Sequence, residues 1–488
     1  MVTFISWHKY PSLSLFLIGL SCVFAQAPFN ILPVLIVAYG LLGYYLLHHV
    51  TTPYDAFKKG YVFGAGYFIG TLHWIGNALL TDSQFFYFLP LAYLGLPCAL
   101  GLFYGGASFL FRKICPPRCS SVKHILLLTL CLAGADILRG FIFTGFPWNL
   151  PVYSTAFYTP LMQISYYLGC YGYNALIILL SVSSVILYTQ KPLKNNQAFM
   201  VYLILWGVLG VIGQYHIDKQ SRQDKSSALF NNKNTIYRIV QPNIALKWVS
   251  DKRQENFNKL LDLSAQNRDE TKHYVIIWPE TALPFHPEQD KNAFRAINTI
   301  LNHNQHELIA GKMYFEPKAL RQYDFYNSVY YMSDGIWQKI YDKIHLVPFG
   351  EYLPLEFILK KIGFQQINHF KNGFQAGQYH TITPLKNHLK IGIQICYEMI
   401  FPQYSRILQQ KSADVIITLT NDAWFGNSFG PHQHLAQARF RAVETGLPVI
   451  RSANTGISAF IDSTGHIIKS LDLNHTGTID LSWNDYER

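Results

Sequence analysis

The stretch IGIQICYEMIF, residues 391–401, has the pattern of a β-strand that ends at a set of reactive side chains. Isoleucine occupies every second position as far as Ile395, and Cys396, Tyr397 and Glu398 follow directly. An alternation with a period of two residues predicts a strand. The stretch therefore predicts a strand whose end carries a thiol close to a carboxylate.

Short apolar runs of the same kind recur on both sides of this strand, from about residue 235 onward. Turn residues separate them, and the segments 254–267 and 432–446 carry the spacing of helices. Strands that alternate with helices in this way indicate one α/β domain with a buried sheet. The predicted strands are 235–244, 273–280, 307–315, 335–342, 389–398, 414–422 and 458–465.

The first part of the chain has a different composition. The chain as a whole is only 14% charged, whereas charged residues make up about 25% of an ordinary soluble protein. Long stretches without Asp, Glu, Lys or Arg account for the difference, and they are long enough to supply the ~20 mostly apolar residues that a membrane-spanning helix needs. Seven such helices are predicted, near 11–28, 31–49, 60–80, 86–111, 124–143, 163–188 and 198–215.

These patterns divide the chain into three parts. Residues 1–215 form a predicted membrane domain, residues 216–234 a polar linker, and residues 235–488 the α/β domain. A cleaved signal peptide is the alternative for the first helix, because Lys9 precedes it. A second apolar run follows closely, however, and no cleavage site separates the two clearly, so a retained helix is expected.

Basic residues occur in alternate loops between the predicted helices. The loops after helices two, four and six contain Lys or Arg, whereas those after helices one, three and five contain neither. Because basic loops are typically cytoplasmic, the N-terminus is predicted to be cytoplasmic and the α/β domain periplasmic. The net charge of +11 is then partly a topology signal, and it gives little support to nucleic-acid binding.

Cys396 is the single cysteine of the α/β domain, since the other six lie in or beside the predicted membrane helices. An outer compartment favours disulfides, so a lone thiol there is either a buried structural cysteine or a nucleophile. A nucleophilic thiol needs a base and a nearby cation. Glu280, where the proline of IIWPET is expected to end a strand, and Lys343, after the strand 335–342, would supply them.

The order of these three residues resembles the nitrilase, or carbon–nitrogen hydrolase, superfamily. They lie in WPET, in YDKIHLVPFGEYLP and in ICYE. Together with the membrane helices, three further stretches resemble the apolipoprotein N-acyltransferase family over nearly the whole chain: RGFIFTGFPW (139–148), VQPNIALKW (240–248) and TNDAWFGNSFGPHQHLAQARFRAVETGLPVIRSANTG (420–456). The resemblance implies a multi-pass α-helical domain in the bacterial inner membrane and an α/β nitrilase-like domain with an α-β-β-α sandwich fold.

The resemblance also implies a mechanism of acyl transfer in two steps. Glu280 would act as general base and then general acid, and Cys396 would carry the acyl chain as a thioester. Lys343, with the backbone N–H of Tyr397, would stabilise the oxyanion. The implied acyl donor is a phospholipid, and the implied acceptor is the α-amino group of a diacylglyceryl-cysteine at the N-terminus of an apolipoprotein.

Further residues receive supporting roles through the same resemblance. Glu351 matches a position that supports the lysine or the transition state, and Glu398 is expected to orient its neighbours. Aromatic residues are expected to line the site or to offer apolar surface to an acyl chain, namely Trp248, Tyr397, Trp424 and Phe425.

Two features of the predicted membrane domain carry a lipid-related expectation. Asp136 and Arg139 stand three positions apart in the fifth helix, so they are expected either to pair on one helix face or to serve lipid entry. Trp148, in GFPW, is expected at the outer membrane interface, which tryptophan favours. There it would steer lipid toward the site.

His432 and His434, in PHQHL, raise the question of a metal site. Their spacing does not place both on one helical face, and no neighbouring cysteine or carboxylate completes a ligand set. No metal is expected, and nothing in the sequence indicates a nucleotide or a redox cofactor.

Two rival functions use the same sequence features differently. A membrane-tethered amidase or nitrilase would employ the same three residues with water as the acceptor. A non-catalytic transport or lipid-binding protein would show a broken triad or buried charges along several helices.

Members of the resembled family carry an eighth membrane helix after the α/β domain. Residues 470–488 contain no apolar run of the ~20 residues that such a helix needs, so the C-terminus is expected to stay outside.

Overall fold

The structure is a computed structural model of the chain. It describes residues 10–81, 83–115, 122–185, 192–224, 233–245, 252–302, 305–318, 323–359, 361, 373–482 and 485. The chain divides into two compact units, one formed by Met1–Gly76 with Gln84–Ile217 and the other by Asn77–Ser83 with Asp218–Arg488.

Helices make up the first unit. Several begin with a proline in the first or second position, where the missing N–H has no partner to lose. Short 3₁₀ turns, among them Ile142–Thr144 and Pro151–Thr155, connect some of them. The described α-helices that begin before residue 218 are Pro11–Ser21, Leu32–His48, Pro53–Leu72, Leu96–Ile114, Val122–Arg139, Thr159–Met162, Ile164–Ser183 and Pro192–Asp224.

Three helices within the described residues are long and apolar enough to cross a membrane, namely Leu91–Ile114, Ile164–Ser183 and Gln197–Ser221. Pro11–Ala25 and Leu32–His48 are apolar but shorter. Each of the seven predicted segments contains helix, while the number of membrane crossings stays a prediction.

Several helix boundaries differ from those predicted, and two of these differences change the assignment of charged residues. The third helix begins at Pro53, where the Thr52 side chain accepts a hydrogen bond from the Asp55 N–H, so Lys58 and Lys59 lie in the helix and not in a loop before it. The last helix continues to Asp224, which makes the first part of the predicted linker 216–234 helical. Residues 216–224 contain neither proline nor glycine, so nothing in that stretch ends the helix.

Close contact between helix backbones depends on glycine in the first unit. A Cβ on Gly19 would lie 2.1 Å from the Phe63 carbonyl oxygen, and a Cβ on Gly66 would lie 2.2 Å from the Phe16 carbonyl oxygen. No side chain fits at those distances. The two glycines therefore let Pro11–Ser21 and Pro53–Leu72 pack at a separation that larger residues forbid.

Within its described residues, the second unit is built on two six-stranded sheets. Strands β1–β3 are parallel in the first sheet, as are β7–β9 in the second, and antiparallel strands complete each sheet. The first sheet has the order β12-β1-β2-β3-β4-β5 and the second β11-β10-β9-β8-β7-β6. The strands are β1 (Thr235–Gln241), β2 (His273–Leu283), β3 (Glu307–Pro317), β4 (Tyr323–Ser333), β5 (Ile336–Asp342), β6 (Ile382–Pro384), β7 (Lys390–Ile395), β8 (Val415–Thr420), β9 (Val449–Ala453), β10 (Ser458–Ile461), β11 (Ile467–Leu471) and β12 (Gly477–Leu481).

Three apolar clusters define the layers of this unit. The central cluster joins both sheets, for example through Ile277 and Ile417. A second packs the helices Arg253–Ala265 and Lys291–Ile300 on the first sheet. A third packs Pro402–Gln410 and Gly430–Thr445 on the second sheet. The layers thus run helix, sheet, sheet, helix, which confirms the predicted α-β-β-α sandwich.

Strand β2 corrects the expectation that Pro279 ends it. The strand continues to Leu283, and its pairing with β3 shifts register between Trp278 and Leu283. A proline removes a ladder hydrogen bond, but it is accommodated where the pairing is irregular. Glu280 therefore lies within the strand rather than beyond its end.

Candidate active site

Cys396 lies where β7 ends and the 3₁₀ turn Cys396–Ile400 begins. Its backbone is left-handed, with a φ of 49°. This conformation costs a residue with a side chain on the order of 1–3 kcal/mol, so the surrounding structure must hold it. Such strain is typical of functional positions, and here it belongs to the predicted nucleophile.

Glu398 helps to fix the strained backbone at Cys396. Its Oε2 accepts a hydrogen bond from the Ile395 N–H at 2.7 Å. Its Oε1 accepts from Tyr341 Oη at 2.8 Å, from the Ile344 N–H at 2.7 Å and from the His345 N–H at 3.1 Å. The carboxylate therefore ties the end of β7 to the segment that follows β5, which is the segment that carries Lys343. The orienting role expected of Glu398 has a clear geometric basis.

Lys343 follows β5 and is almost completely buried, with 1% of its surface exposed. Its Nζ lies 2.9 Å from Glu351 Oε1 and 3.5 Å from Glu280 Oε1. Burial by itself would lower the pKa of Lys343, but Glu351 and then Glu280 outweigh it and raise the pKa above its ordinary value. The ammonium group stays charged, so it is a permanent cation beside the two carboxylates.

Asn327, on β4, bridges the two carboxylates and was not found by sequence reasoning. Its Nδ2 donates to Glu280 Oε1 at 2.7 Å and to Glu351 Oε1 at 3.0 Å. The Val347 N–H donates to Glu351 Oε2 at 2.8 Å. Because β4 was not predicted as a strand, no local pattern indicated that this asparagine faces the site.

Burial determines the protonation of the two groups that would exchange a proton. It raises the pKa of the Cys396 thiol, an effect that Glu280 increases and Lys343 opposes. It also raises the pKa of Glu280, where Lys343 opposes and Glu351 adds to the effect. The thiol is thus protonated at rest, and the adjacent glutamate is a stronger base than an exposed one.

A second group of buried residues lies close to Cys396. The Thr420 hydroxyl is 3.2 Å from Cys396 Sγ and 3.1 Å from Asp422 Oδ1. His434 Nε2 is 3.1 Å from the Cys396 carbonyl oxygen, and Arg451 Nη2 donates to Asp422 Oδ2 at 2.6 Å. These four residues belong to the stretch 420–456 that resembles the family. Their contacts with Cys396 join positions far apart in the sequence, so no local sequence pattern could have indicated them.

The aromatic residues expected around the site occupy several places. Tyr397 is buried against Phe401, with ring centroids 5.2 Å apart. Trp424 and Phe425 are half-buried in the 3₁₀ turn Asp422–Phe425. Trp248 lies outside the described residues.

The two candidates in the first unit form part of a buried network. Arg139 Nη2 lies 3.0 Å from Asp136 Oδ1, so the ion pair expected from the sequence forms, and Arg139 also donates to the Phe146 carbonyl oxygen. Trp148 is 2% exposed, with its ring centroid 5.0 Å from that of Trp74. Trp148 is therefore packed inside the first unit, on the GFPW loop that Arg139 holds, and its position at the outer membrane interface stays a prediction.

The chain matches two protein families. Residues 238–483 match the carbon-nitrogen hydrolase family, which defines the class of the α/β unit. Residues 18–183 match the N-terminal domain of apolipoprotein N-acyltransferase.

Known relatives extend this match to nearly the whole chain. An apolipoprotein N-acyltransferase of Rhizobium leguminosarum is 38% identical and covers 97% of this chain and 90% of its own length. One of Brucella melitensis is 37% identical, with 97% and 89% covered. Among solved structures, a carbon-nitrogen hydrolase from Helicobacter pylori has 17% identity, a TM-score of 0.38, and covers 52% of this chain and 91% of its own. The chain belongs to the apolipoprotein N-acyltransferase family.

Proposed function

We propose that this protein transfers an acyl chain from a phospholipid to the α-amino group of the diacylglyceryl-cysteine at the N-terminus of apolipoproteins, by way of a thioester on Cys396. The observation that carries the proposal is the buried arrangement of Cys396, Glu280 and Lys343 in a chain whose relatives bear the name apolipoprotein N-acyltransferase. The match of residues 18–183 to the N-terminal domain of that family supports a lipid substrate.

In the first half-reaction Glu280 removes the thiol proton of Cys396 as the sulfur attacks an ester carbonyl of the phospholipid. The carbonyl oxygen gains negative charge, which Lys343 Nζ and the Tyr397 N–H stabilise. The C–O bond then breaks, and Glu280 gives its proton to the departing lysophospholipid oxygen. A thioester on Cys396 remains.

In the second half-reaction the lipoprotein amine attacks the thioester carbonyl. Glu280 takes a proton from the attacking nitrogen, the C–S bond breaks, and Glu280 returns the proton to the Cys396 sulfur. An amide bond has formed, and the enzyme is restored. One site thus serves two substrates in turn, which is ping-pong catalysis.

Glu351 and Asn327 hold the base and the cation in this scheme. Lys343 and Asn327 each contact both Glu351 and Glu280. Since the site has one permanent cation between two carboxylates, Lys343 is kept at a fixed position near the reacting carbonyl. Tyr397, Trp424, Phe425 and Trp248 are proposed to contact the lipid chains, and Arg139 and Trp148 to shape the GFPW loop.

The protein is a membrane protein, given its family and its long apolar helices. We infer a membrane domain of seven spans over residues 1–215, a cytoplasmic N-terminus and a periplasmic catalytic domain over residues 235–488. The alternation of basic loops supports this topology.

An assay with purified protein, phosphatidylethanolamine and a diacylated lipopeptide tests the proposal. We expect the peptide to gain an amide-linked acyl chain with the wild-type protein and none with Cys396→Ala, at an unchanged melting temperature. Release of free fatty acid with the peptide unmodified would instead support the hydrolase alternative, in which water is the acceptor.

A further inference from the structure

Three buried side chains next to Cys396 have no role in the proton transfers proposed above. They are Asp422, His434 and Arg451, and each is at most 1% exposed. Arg451 Nη2 lies 2.6 Å from Asp422 Oδ2 and 3.1 Å from His434 Nδ1, and His434 Nδ1 lies 2.9 Å from Asp422 Oδ1. We call these three residues the buried cluster.

The buried cluster is assembled from three separate elements. Asp422 follows β8, His434 lies in the helix Gly430–Thr445, and Arg451 lies in β9. The backbone is arranged to admit the carboxylate, since a Cβ on Gly456 would lie 2.3 Å from Asp422 Oδ2. Burying a charged pair costs several kcal/mol per ion before the mutual attraction is counted. A buried cluster of this cost next to the proposed nucleophile indicates that the cluster has a functional role.

The cluster contacts Cys396 from two directions. His434 Nε2 lies 3.1 Å from the Cys396 carbonyl oxygen. Asp422 reaches the sulfur through Thr420, whose hydroxyl is 3.1 Å from Asp422 Oδ1 and 3.2 Å from Cys396 Sγ. The peptide group and the thiol of the nucleophile are therefore both held by one rigid group.

The hydrogen bond from His434 has a defined direction. A carbonyl oxygen only accepts, so Nε2 must carry the hydrogen. Burial and then the charge of Arg451 lower the pKa of His434, which favours the neutral ring with Nδ1 facing Arg451. Nε2 remains the donor in the imidazolium form too, in which Nδ1–H would face Asp422. Burial by itself would raise the pKa of Asp422, but the charge of Arg451 outweighs burial and lowers this pKa to about 2. The Asp422 carboxylate therefore stays ionised.

Fixing the Cys396 carbonyl also fixes the next N–H group. The Cys396 carbonyl and the Tyr397 N–H belong to one planar trans peptide, so they point in opposite directions. The hydrogen bond from His434 Nε2 to the Cys396 carbonyl oxygen therefore keeps the peptide plane from rotating, and it directs the Tyr397 N–H away from His434. This matters because Cys396 occupies a strained left-handed conformation from which the peptide would otherwise relax.

We propose that Asp422, His434 and Arg451 are positioning residues for acyl transfer, in which His434 holds the Cys396–Tyr397 peptide so that the Tyr397 N–H faces the developing oxyanion. The proposal rests on the proposed function, where that N–H stabilises the tetrahedral intermediate. Asp422 and Arg451 fix the His434 ring in turn. The three residues act through Cys396 and Tyr397 and touch no reacting atom of the substrate.

Two rates measured on the same variants test this role. The first is formation of the Cys396 acyl-enzyme from phosphatidylethanolamine, which passes through an oxyanion. The second is alkylation of Cys396 by iodoacetamide, which displaces iodide at a saturated carbon and forms none. Loss of an oxyanion donor itself slows acyl transfer by about 10²–10³-fold. For His434→Ala we expect acylation to slow by about 10- to 100-fold, because the donor remains but is misdirected.

The alkylation rate should stay within about twofold of the wild-type rate in His434→Ala. His434→Gln, whose amide nitrogen reaches the position of Nε2, should recover most of the acylation rate. His432→Ala is the matched control on the same helix, where the ring is half-buried, and both of its rates should equal those of the wild type.

An equal loss of both rates in His434→Ala would overturn the proposal, since it would show a general collapse around Cys396. Unchanged acylation in His434→Ala, or no recovery in His434→Gln at wild-type melting temperature, would overturn it too. Failure of the proposed function looks different, because the wild-type protein would then form no acyl-enzyme while iodoacetamide still labelled Cys396.

Discussion

The thiol of Cys396 is protonated at rest, because burial raises its pKa above the ordinary value of 9.0 and Glu280 adds to the effect. The same burial raises the pKa of Glu280. Transfer of a proton from the thiol to this carboxylate therefore costs less than transfer to an exposed glutamate would. In the proposed mechanism Lys343, held by Glu351, stabilises the negative charge that develops on the sulfur or on the substrate oxygen. Burial thus raises the proton affinity of both the thiol and the carboxylate.

The pH dependence of kcat/KM should report this pair. Glu280 must be ionised to accept the proton, so activity is lost as the pH falls through its pKa, which stands above the ordinary value of 4.5. Repulsion from Glu351 contributes to the raised pKa of Glu280. Glu351→Gln should therefore move the acid limb of the kcat/KM–pH profile to lower pH, and it should reduce kcat/KM because Lys343 loses an ion-pair partner. The control Glu356→Gln alters an exposed carboxylate nearby and should leave the limb in place. A limb that moves to higher pH in Glu351→Gln would contradict the assignment.

At the scale of elements, the sequence predicted the strand that leads to Cys396, the strand before Lys343 and the part of β2 that precedes Pro279. It did not predict that β2 passes through Pro279, because only the irregular pairing with β3 shows where a proline is tolerated. Asn327 was missed since aromatic residues on both faces of β4 hide its alternation. His434 was considered only as a metal ligand, because its contact with Cys396 spans 38 positions and has no local pattern.

Glu398 connects two elements of the site, so its replacement should affect stability and catalysis together. One glutamate accepts four hydrogen bonds here, and a glutamine has only one acceptor oxygen in its side chain. Each buried donor left without a partner costs about 1–3 kcal/mol. Glu398→Gln should therefore lower the melting temperature in detergent and slow acyl-enzyme formation.

Glu316→Gln is the control for this change, since Glu316 is an exposed residue at the end of β3. It should alter neither quantity. A fully active and equally stable Glu398→Gln protein would show that the link between β7 and the segment after β5 is dispensable.

Helix packing in the first unit gives a second prediction at this scale. Gly66→Ala should lower the melting temperature, because its Cβ would collide with the Phe16 carbonyl oxygen at 2.2 Å. Gly106→Ala adds the same methyl group where no atom lies within 4 Å, and it should be neutral or slightly stabilising since alanine favours a helix by up to about 1 kcal/mol. Equal melting temperatures for the two variants would show that Gly66 does not lie this close to the Phe16 carbonyl oxygen.

At the scale of the whole molecule, the chain combines a helical unit with a carbon-nitrogen hydrolase unit. In the proposed mechanism Cys396, Glu280 and Lys343 carry the chemistry of the hydrolase unit, and these residues alone do not distinguish an amine from water as acceptor. The helical unit is the part that indicates lipid substrates. Composition alone predicted a helical part followed by an α/β part, because charged residues are scarce only in the first part of the chain.

The proposed topology can be tested with reporter fusions. Alkaline phosphatase is active only after export, so a fusion that follows residue 488 should be active and one that follows Lys113 should be inactive. A green fluorescent protein fused at Lys113 should fluoresce as the reciprocal control. Phosphatase activity at Lys113 would place that loop outside and invert the assignment.

The central claim is that Cys396 carries the acyl chain between two substrates, and intact-mass measurement of the protein tests it most directly. Incubation with phosphatidylethanolamine should add the mass of one acyl chain at Cys396, in a form that hydroxylamine removes. Addition of a diacylated lipopeptide should then return the protein to its original mass as the peptide gains an amide-linked chain. Acylation of the peptide without any adduct on Cys396, or an adduct that the peptide does not discharge, would contradict the account.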